Sequence, residues 1–426
     1  MKIRLVVRLA ACGLVGAWLW PAHAAEDRML GSDLAGLLAY AREHNPELAA
    51  ARFDADAAAQ RAQSMAALPD PVLRAEMMDV TNQGTNKSAS LLPSQVGSTR
   101  YLLTQSVPWF GKRDLKREAA EAGADQARGQ TAATWAELSA QIKSTYAQYY
   151  YVAGSQKITR DLLDLVMQME KVAQVRYANG LAAQQDAVRA QVEQTVRKTE
   201  LVALNNTQRQ VEARLNALLS RPATMPLATP QHLRSIPATA SLANYTALEN
   251  RIREHNPELF MDEAEVRAGE KNRDLVYKNR YPDVALGISP TQSGNAVREW
   301  GVMVEFNIPL QQDTRRSQER ESEAMLAAAR ARREATANRI LSALTENLSG
   351  IEAAQHTELL SSSGLLPQAK VTFESALIGY QTGKVDFATL LDAARQTLSA
   401  RLEVLKAQTD AQMRLAEIER LLGEEL

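Results

Sequence analysis

Little in this 426-residue chain announces chemistry. It has one cysteine, Cys12, and five histidines. One cysteine cannot form an internal disulfide or a thiolate metal cluster. No two histidines stand at the His-x-x-x-His spacing of a helical zinc site, so the residues give no metal ligand set and no cofactor. There is no glycine-rich phosphate loop and no nucleophile elbow, so no catalytic residue is nominated and the chain reads as no enzyme. Beyond the N-terminus no stretch has eighteen consecutive apolar residues, which excludes a transmembrane helix but not transmembrane strands. Charge is balanced, with 49 Lys and Arg against 50 Asp and Glu. That balance gives no footing for a nucleic-acid partner. Aromatics are 5% of the chain, as expected where helices pack through Ala and Leu.

Proline is missing where it matters most. From Lys112 to Tyr177 there is none, and apolar side chains recur at three-and-four spacing: Trp135, Leu138, Ile142, Tyr149, Val152, then Ile158, Leu162, Leu165, Met169 and Val172. The register slips near Gly154. A heptad-like stripe with a polar back is a helix packed on other helices. At about 1.5 Å per residue it is a rod roughly 100 Å long.

Residues 1–24 read as a secretory signal: Lys2 and Arg4, an apolar run to Trp20, and the small-x-small site Ala22-His23-Ala24. The mature chain is expected to begin at Ala25. Leu9-Ala10-Ala11-Cys12-Gly13 also resembles a lipoprotein box, so lipidation of Cys12 is the rival route.

The mature sequence repeats once. Arg42-Glu43-His44-Asn45-Pro46-Glu47-Leu48 returns as Arg253-Glu254-His255-Asn256-Pro257-Glu258-Leu259. Pro69-Asp70 is echoed by Pro282-Asp283, and Val107-Pro108 by Ile308-Pro309. Tyr177-Ala178-Asn179-Gly180 is echoed by Tyr380-Gln381-Thr382-Gly383. Four matches in one order make a duplicated unit. The first unit covers 25–220 and the second 241–426, with a proline-rich linker over 221–240. Each unit predicts one moderate helix (about 33–66 and about 244–280) and a strand pair (about 70–108 and about 283–309). A long hairpin follows (112–220 and 314–423). Asn before Pro marks a helix start, which accounts for His44 and His255 without a metal. Met77, Met78, Met167 and Met169 suit packing or lipid better than soft-metal ligation. Pro367, after Ser361-Ser362-Ser363-Gly364, predicts a kink or break in the second rod.

The strands alternate. Trp300, Val302, Val304, Phe306 and Ile308 share one face, as do Val284, Leu286 and Ile288. Apolar-out, polar-in runs of about ten residues suit a transmembrane barrel as well as a half-buried soluble sheet. Tyr101, Trp109, Phe110 and Trp300 are candidate interfacial aromatics. Thr81–Thr99 reads as a long polar loop, and Ser289–Arg298 as a shorter one. Four strands cannot close a barrel, whereas three copies supply twelve strands over twelve helical columns.

With these features in place, the chain resembles the TolC-like outer membrane factors of tripartite efflux systems. Gln105-Ser106-Val107-Pro108-Trp109-Phe110-Gly111-Lys112-Arg113 is most like members of the CusC and CzcC type, which serve heavy-metal exporters. The resemblance implies a mainly α fold with a small transmembrane β part. It implies a homotrimer with a twelve-stranded outer-membrane β-barrel, continued by a long periplasmic α-helical barrel. The implied partners are outer-membrane lipid, a periplasmic adaptor and an inner-membrane pump of RND type. The expected role is a passive exit duct for heavy-metal cations. A duct for drugs or type I secreted proteins is the alternative, and a periplasmic coiled-coil adaptor or scaffold is the reading from another class. By resemblance, the tips Arg176, Tyr177, Gly180, Tyr380 and Gly383 dock the adaptor. Asp392 matches a carboxylate that narrows the periplasmic mouth. The companion acidic position is Thr389 here, and Asp386 is the nearby substitute. The other reading of Asp392 is a solvated charge on a helix face.

Overall fold

A computed structural model describes residues 30–80, 91–237 and 244–426. The expected signal segment, Cys12, residues 81–90 of the expected polar loop, residues 238–240 of the linker and residues 241–243 of the second unit lie outside the described residues.

The first moderate helix is two helices. α1 (Leu34–His44) starts on Asp33, whose carboxylate accepts from the Gly36 N–H, and α2 spans Pro46–Met65. Asn45 between them is extended, at φ −76° and ψ 120°. Proline disfavours a helical residue before it, so α1 must stop there. The same Asn45 then caps α2 through the Glu47 and Leu48 N–H groups. The second half repeats the break: α5 (Tyr245–His255) ends at Asn256, which caps α6 (Pro257–Lys278). The continuous apolar pattern hid both breaks.

The first rod is α3, Lys112–Ala178, 67 residues long and so about 100 Å. Its partner α4 spans Gln184–Leu218. Gly154 lets the two halves approach: a Cβ there would stand 2.7 Å from Leu405. The second rod is α7 (Gln312–Leu360), a π turn (Ser361–Leu365) and α8 (Leu366–Gln381), with α9 (Phe387–Leu422) returning. Where Pro367 predicts a kink or break, the α-helix is interrupted by the π turn, though the chain stays helical. The wider π turn accommodates the proline, which falls in the first turn of α8.

The strands are β1 (Val72–Met78), β2 (Ser98–Val107), β3 (Val284–Ser293) and β4 (Ala296–Phe306). They form one antiparallel sheet in the order β1-β2-β3-β4. Ser289–Arg298 is therefore not a loop. It is strand on both sides of a two-residue turn, with Gly294 at φ +61°. Register sorts the faces. Leu73 lies opposite Leu103, Leu103 opposite Ile288, and Ile288 opposite Val302. Leu286–Val304 and Val284–Phe306 continue that face. It is apolar and bare: Val302 is 83% exposed and Trp300 74%. Arg74, Glu76, Arg100, Thr104, Ser289 and Glu305 belong to the other face.

Below the sheet the helices stand side by side in the same sequence. In the upper part α2 packs on α3, α3 on α6, and α6 on α7. In the lower part α4 packs on α3, α3 on α9, and α9 on α7 and α8. First-half elements (β1, α2, α4) thus form one edge at every level, and second-half elements (β4, α7, α8) the other.

Two cores at mid-height are counterparts. One gathers Leu37, Ile142, Tyr149 and Leu215, the other Ile252, Ile340, Leu344 and Ile418. Between them Glu419, 3% exposed, bonds Lys143 at 2.9 Å and both arms of Arg234 at 2.7 Å. Burial pushes its pKa up, but the Arg234 and Lys143 bonds more than offset this and leave it below the ordinary value.

Candidate functional site at the hairpin tips

Both hairpins turn in the same way. At the end of α3 the Gly180 N–H reaches the Tyr177 carbonyl at 2.9 Å, and Leu181 reaches Arg176 at 2.8 Å. After α8 the Gly383 N–H reaches Tyr380 at 3.1 Å, and Lys384 reaches Gly379 at 2.8 Å. This paired pattern is the Schellman motif, which needs a left-handed residue after the cap. Gly180 and Gly383 supply it, at φ +68° and +76°.

The two tips are joined. Arg176 donates to the carbonyls of Gln381 and Leu181, and its guanidinium lies 5.1 Å over the Tyr380 ring. Tyr380 is buried, edge-on to Phe387, and its hydroxyl donates to Asp186 at 3.2 Å. Burial, and then the Asp186 carboxylate, push its pKa to about 12, so the hydroxyl keeps its proton at neutral pH. Leu162, Val166, Ala190, Phe387 and Leu390 form a third core here, shared by both halves.

The five tip residues therefore divide. Tyr177, Gly180 and Gly383 lie at the exposed surface. Tyr380 faces inward, and Arg176 is spent on holding the tips together. The sequence motif could not separate Tyr177 from Tyr380. The difference comes from Asp186 and Phe387 on the facing helices.

Asp386 caps α9, accepting the Thr389 N–H at 3.0 Å. The bonds from Thr389 hold its carboxyl below the ordinary value. Asp392 is two-thirds exposed and lies 3.5 Å from Arg395. Arg395 in turn holds Glu193 at 2.6 Å, and Glu193 is 1% exposed with Arg197 at 3.0 Å. The sequence reading missed Glu193, yet a signal was present. It falls three residues after Ala190 on the buried stripe of α4, where an apolar side chain is expected. Glu419, on the stripe of Leu415, Ile418 and Leu422, gave the same signal.

Among the described residues no cluster of three or more His, Cys, Asp or Glu is disposed to hold a metal. No helix there is long and apolar enough to cross a membrane.

Residues 248–424 match the family model described as outer membrane efflux protein. The chain is 23% identical over 398 residues to the cobalt-zinc-cadmium resistance protein CzcC of Cupriavidus metallidurans, covering 92% of this chain and 90% of that protein. Among solved structures it is similar to the outer membrane protein VceC of Vibrio cholerae, with a TM-score of 0.77 at 18% identity over 92% of this chain and 96% of that one. It is also similar to CusC, whose structure describes transmembrane channel formation, with a TM-score of 0.78 at 15% identity over 93% of both chains.

Proposed function

We propose that this chain is an outer membrane efflux protein, and that three copies form a passive duct through the outer membrane and into the periplasm. One observation carries this. The chain is an unfinished wall, with the same two edges at sheet, upper-helix and lower-helix level. In lipid an open strand edge leaves backbone groups unpaired at several kcal/mol each, so β4 of one copy pairs with β1 of the next. Three four-stranded sheets give twelve strands, within the range of closed barrels. The bare apolar face of the sheet then meets lipid. Lower down, Val188, Val192 and Val196 on α4 are exposed at four-residue spacing. They meet the exposed Val371 and Ile378 of the neighbour's α8.

The duct has no reaction to catalyse. An inner-membrane pump of RND type supplies the energy, and a periplasmic adaptor docks on the exposed tip surface around Tyr177, Gly180 and Gly383. Metal cations are the favoured cargo, supported by the likeness to CzcC over 92% of this chain. Asp392 narrows the periplasmic mouth and is steadied by Arg395. Asp386 and Thr389 serve that mouth by fixing the start of α9.

The test is electrical. Asp392→Ala raises single-channel conductance of the assembled protein in a planar bilayer and weakens cation preference. Unchanged conductance and selectivity remove Asp392 from the gate.

A further inference from the structure

The junction between sheet and helices holds a group of residues that conduction does not require. Below the apolar face of the sheet come aromatics. Trp109 stacks on Tyr281 at 5.4 Å and meets the edge of Phe110 at 5.7 Å. Phe110 is 83% exposed, and Leu310 at the start of the second rod 81%.

Cations begin at the same level. Lys278 Nζ donates to the Phe110 carbonyl at 3.2 Å, which fixes it beside that exposed ring. Arg315 donates to the Asn279 carbonyl. Arg280 pairs with Glu319 at 2.7 Å, and Arg315 and Arg316 lie close enough to act on the same carboxylate. Bonds to carbonyls leave the charges of Lys278 and Arg315 uncancelled. Four cations (Lys278, Arg280, Arg315, Arg316) stand against three carboxylates, Glu319, the exposed Asp313 and Glu323, which accepts from the Tyr277 hydroxyl, while Asp283 beside Trp109 is matched by Lys112, with Lys116 near it. The whole chain carries a formal charge of −1, so this excess is local.

We propose that this collar binds the phosphate of an anionic phospholipid in the periplasm-facing leaflet. The proposal rests on the outer-membrane reading above. Aromatic rings seat at the lipid–water boundary, and cations just outside it attract anionic headgroups, each to the extent of about a fivefold change in association. Repeated in each copy, the collar sets the height of the duct in the bilayer.

The assembled full-length protein is reconstituted in phosphatidylcholine vesicles containing spin-labelled phosphatidylglycerol or spin-labelled phosphatidylcholine. The motionally restricted fraction of each label is then read. Phosphatidylglycerol is expected to associate more strongly. The preference should fall about fivefold in Arg316→Gln, further in Arg316→Gln with Lys278→Gln, and also with added salt. Arg316 is exposed, so its variant carries the test even where Lys278→Gln disturbs assembly. Equal association of both lipids with the unaltered protein overturns the proposal, as does a preference unchanged in the variants. A protein that restricts neither label is not in the bilayer, and then the outer-membrane reading fails as well.

Discussion

Asn45 and Asn256 have the same task in the two halves of the chain. Each is buried and extended, and each caps a helix that begins with proline. Each also sends its amide to the end of the returning helix, Asn45 to the Leu218 carbonyl at 3.0 Å and Asn256 to Leu421 at 2.7 Å. Above that shared knot the halves part company. In the first, α2 lies on α3 through alanines. In the second, α6 and α7 are joined by charge: Arg330–Glu270, Arg332–Glu265, Arg333–Glu263 and Arg339–Glu258. Alanine lets helices approach closely and gain dispersion energy. Exposed ion pairs contribute little to stability, but they fix angle and register. Stability is therefore concentrated where the halves agree, and the upper columns mainly set geometry.

The largest expected effect strikes the point between the halves. Glu419→Gln leaves Lys143 and Arg234 facing a neutral group in a buried site, where losing one partner costs about 3–5 kcal/mol. Thermal unfolding of the assembled protein should show that loss, together with changed acid sensitivity. The folded pKa of Glu419 lies below its ordinary 4.5. Its stabilisation is complete above that value and is lost as pH falls through the lower folded value. The variant should lack this component. An unchanged acid profile would mean that the cluster is not closed as described.

Next come the paired asparagines. Asn45→Ala and Asn256→Ala each remove a cap and strand a carbonyl, at about 2–3 kcal/mol. The comparison predicts nearly equal losses in melting temperature. A large loss at one and none at the other would break the equivalence. The smallest effect belongs to the ladder. Each Arg→Ala there should cost under about 1 kcal/mol. High salt should increase hydrogen exchange in α6 and α7 but not in α2, because screening acts on charge and not on alanine contacts. Equal responses would remove the distinction between the columns.

Much of this was legible beforehand. The long stripe from Trp135 to Val172 fixed a helix, because no other regular element satisfies three-and-four spacing. The alternation from Trp300 to Phe306 fixed a strand and its apolar face. What escaped was set by side chains reaching across the fold. Asn45 and Asn256 signalled a helix start, and the proline after each also ends the helix before it, but the carbonyl that each amide meets, at Leu218 or Leu421, lies far away in sequence. Pro367 signalled a kink or break, but not that the interruption would take the form of a π turn within a continuous helical path. Tyr380 resembled Tyr177 in its motif, and only the facing Asp186 and Phe387 turn it inward. For Glu193 the cue lay on the α4 stripe, but its partner Arg395 is about two hundred residues distant.

The count of chains in the detergent-extracted particle tests the whole account most directly. Native mass spectrometry of the full-length protein should give three copies of one chain, and the same particle should open water-filled pores in a planar bilayer. A particle of one chain with no conductance would contradict it, because the two edges of the wall would then have nothing to close against.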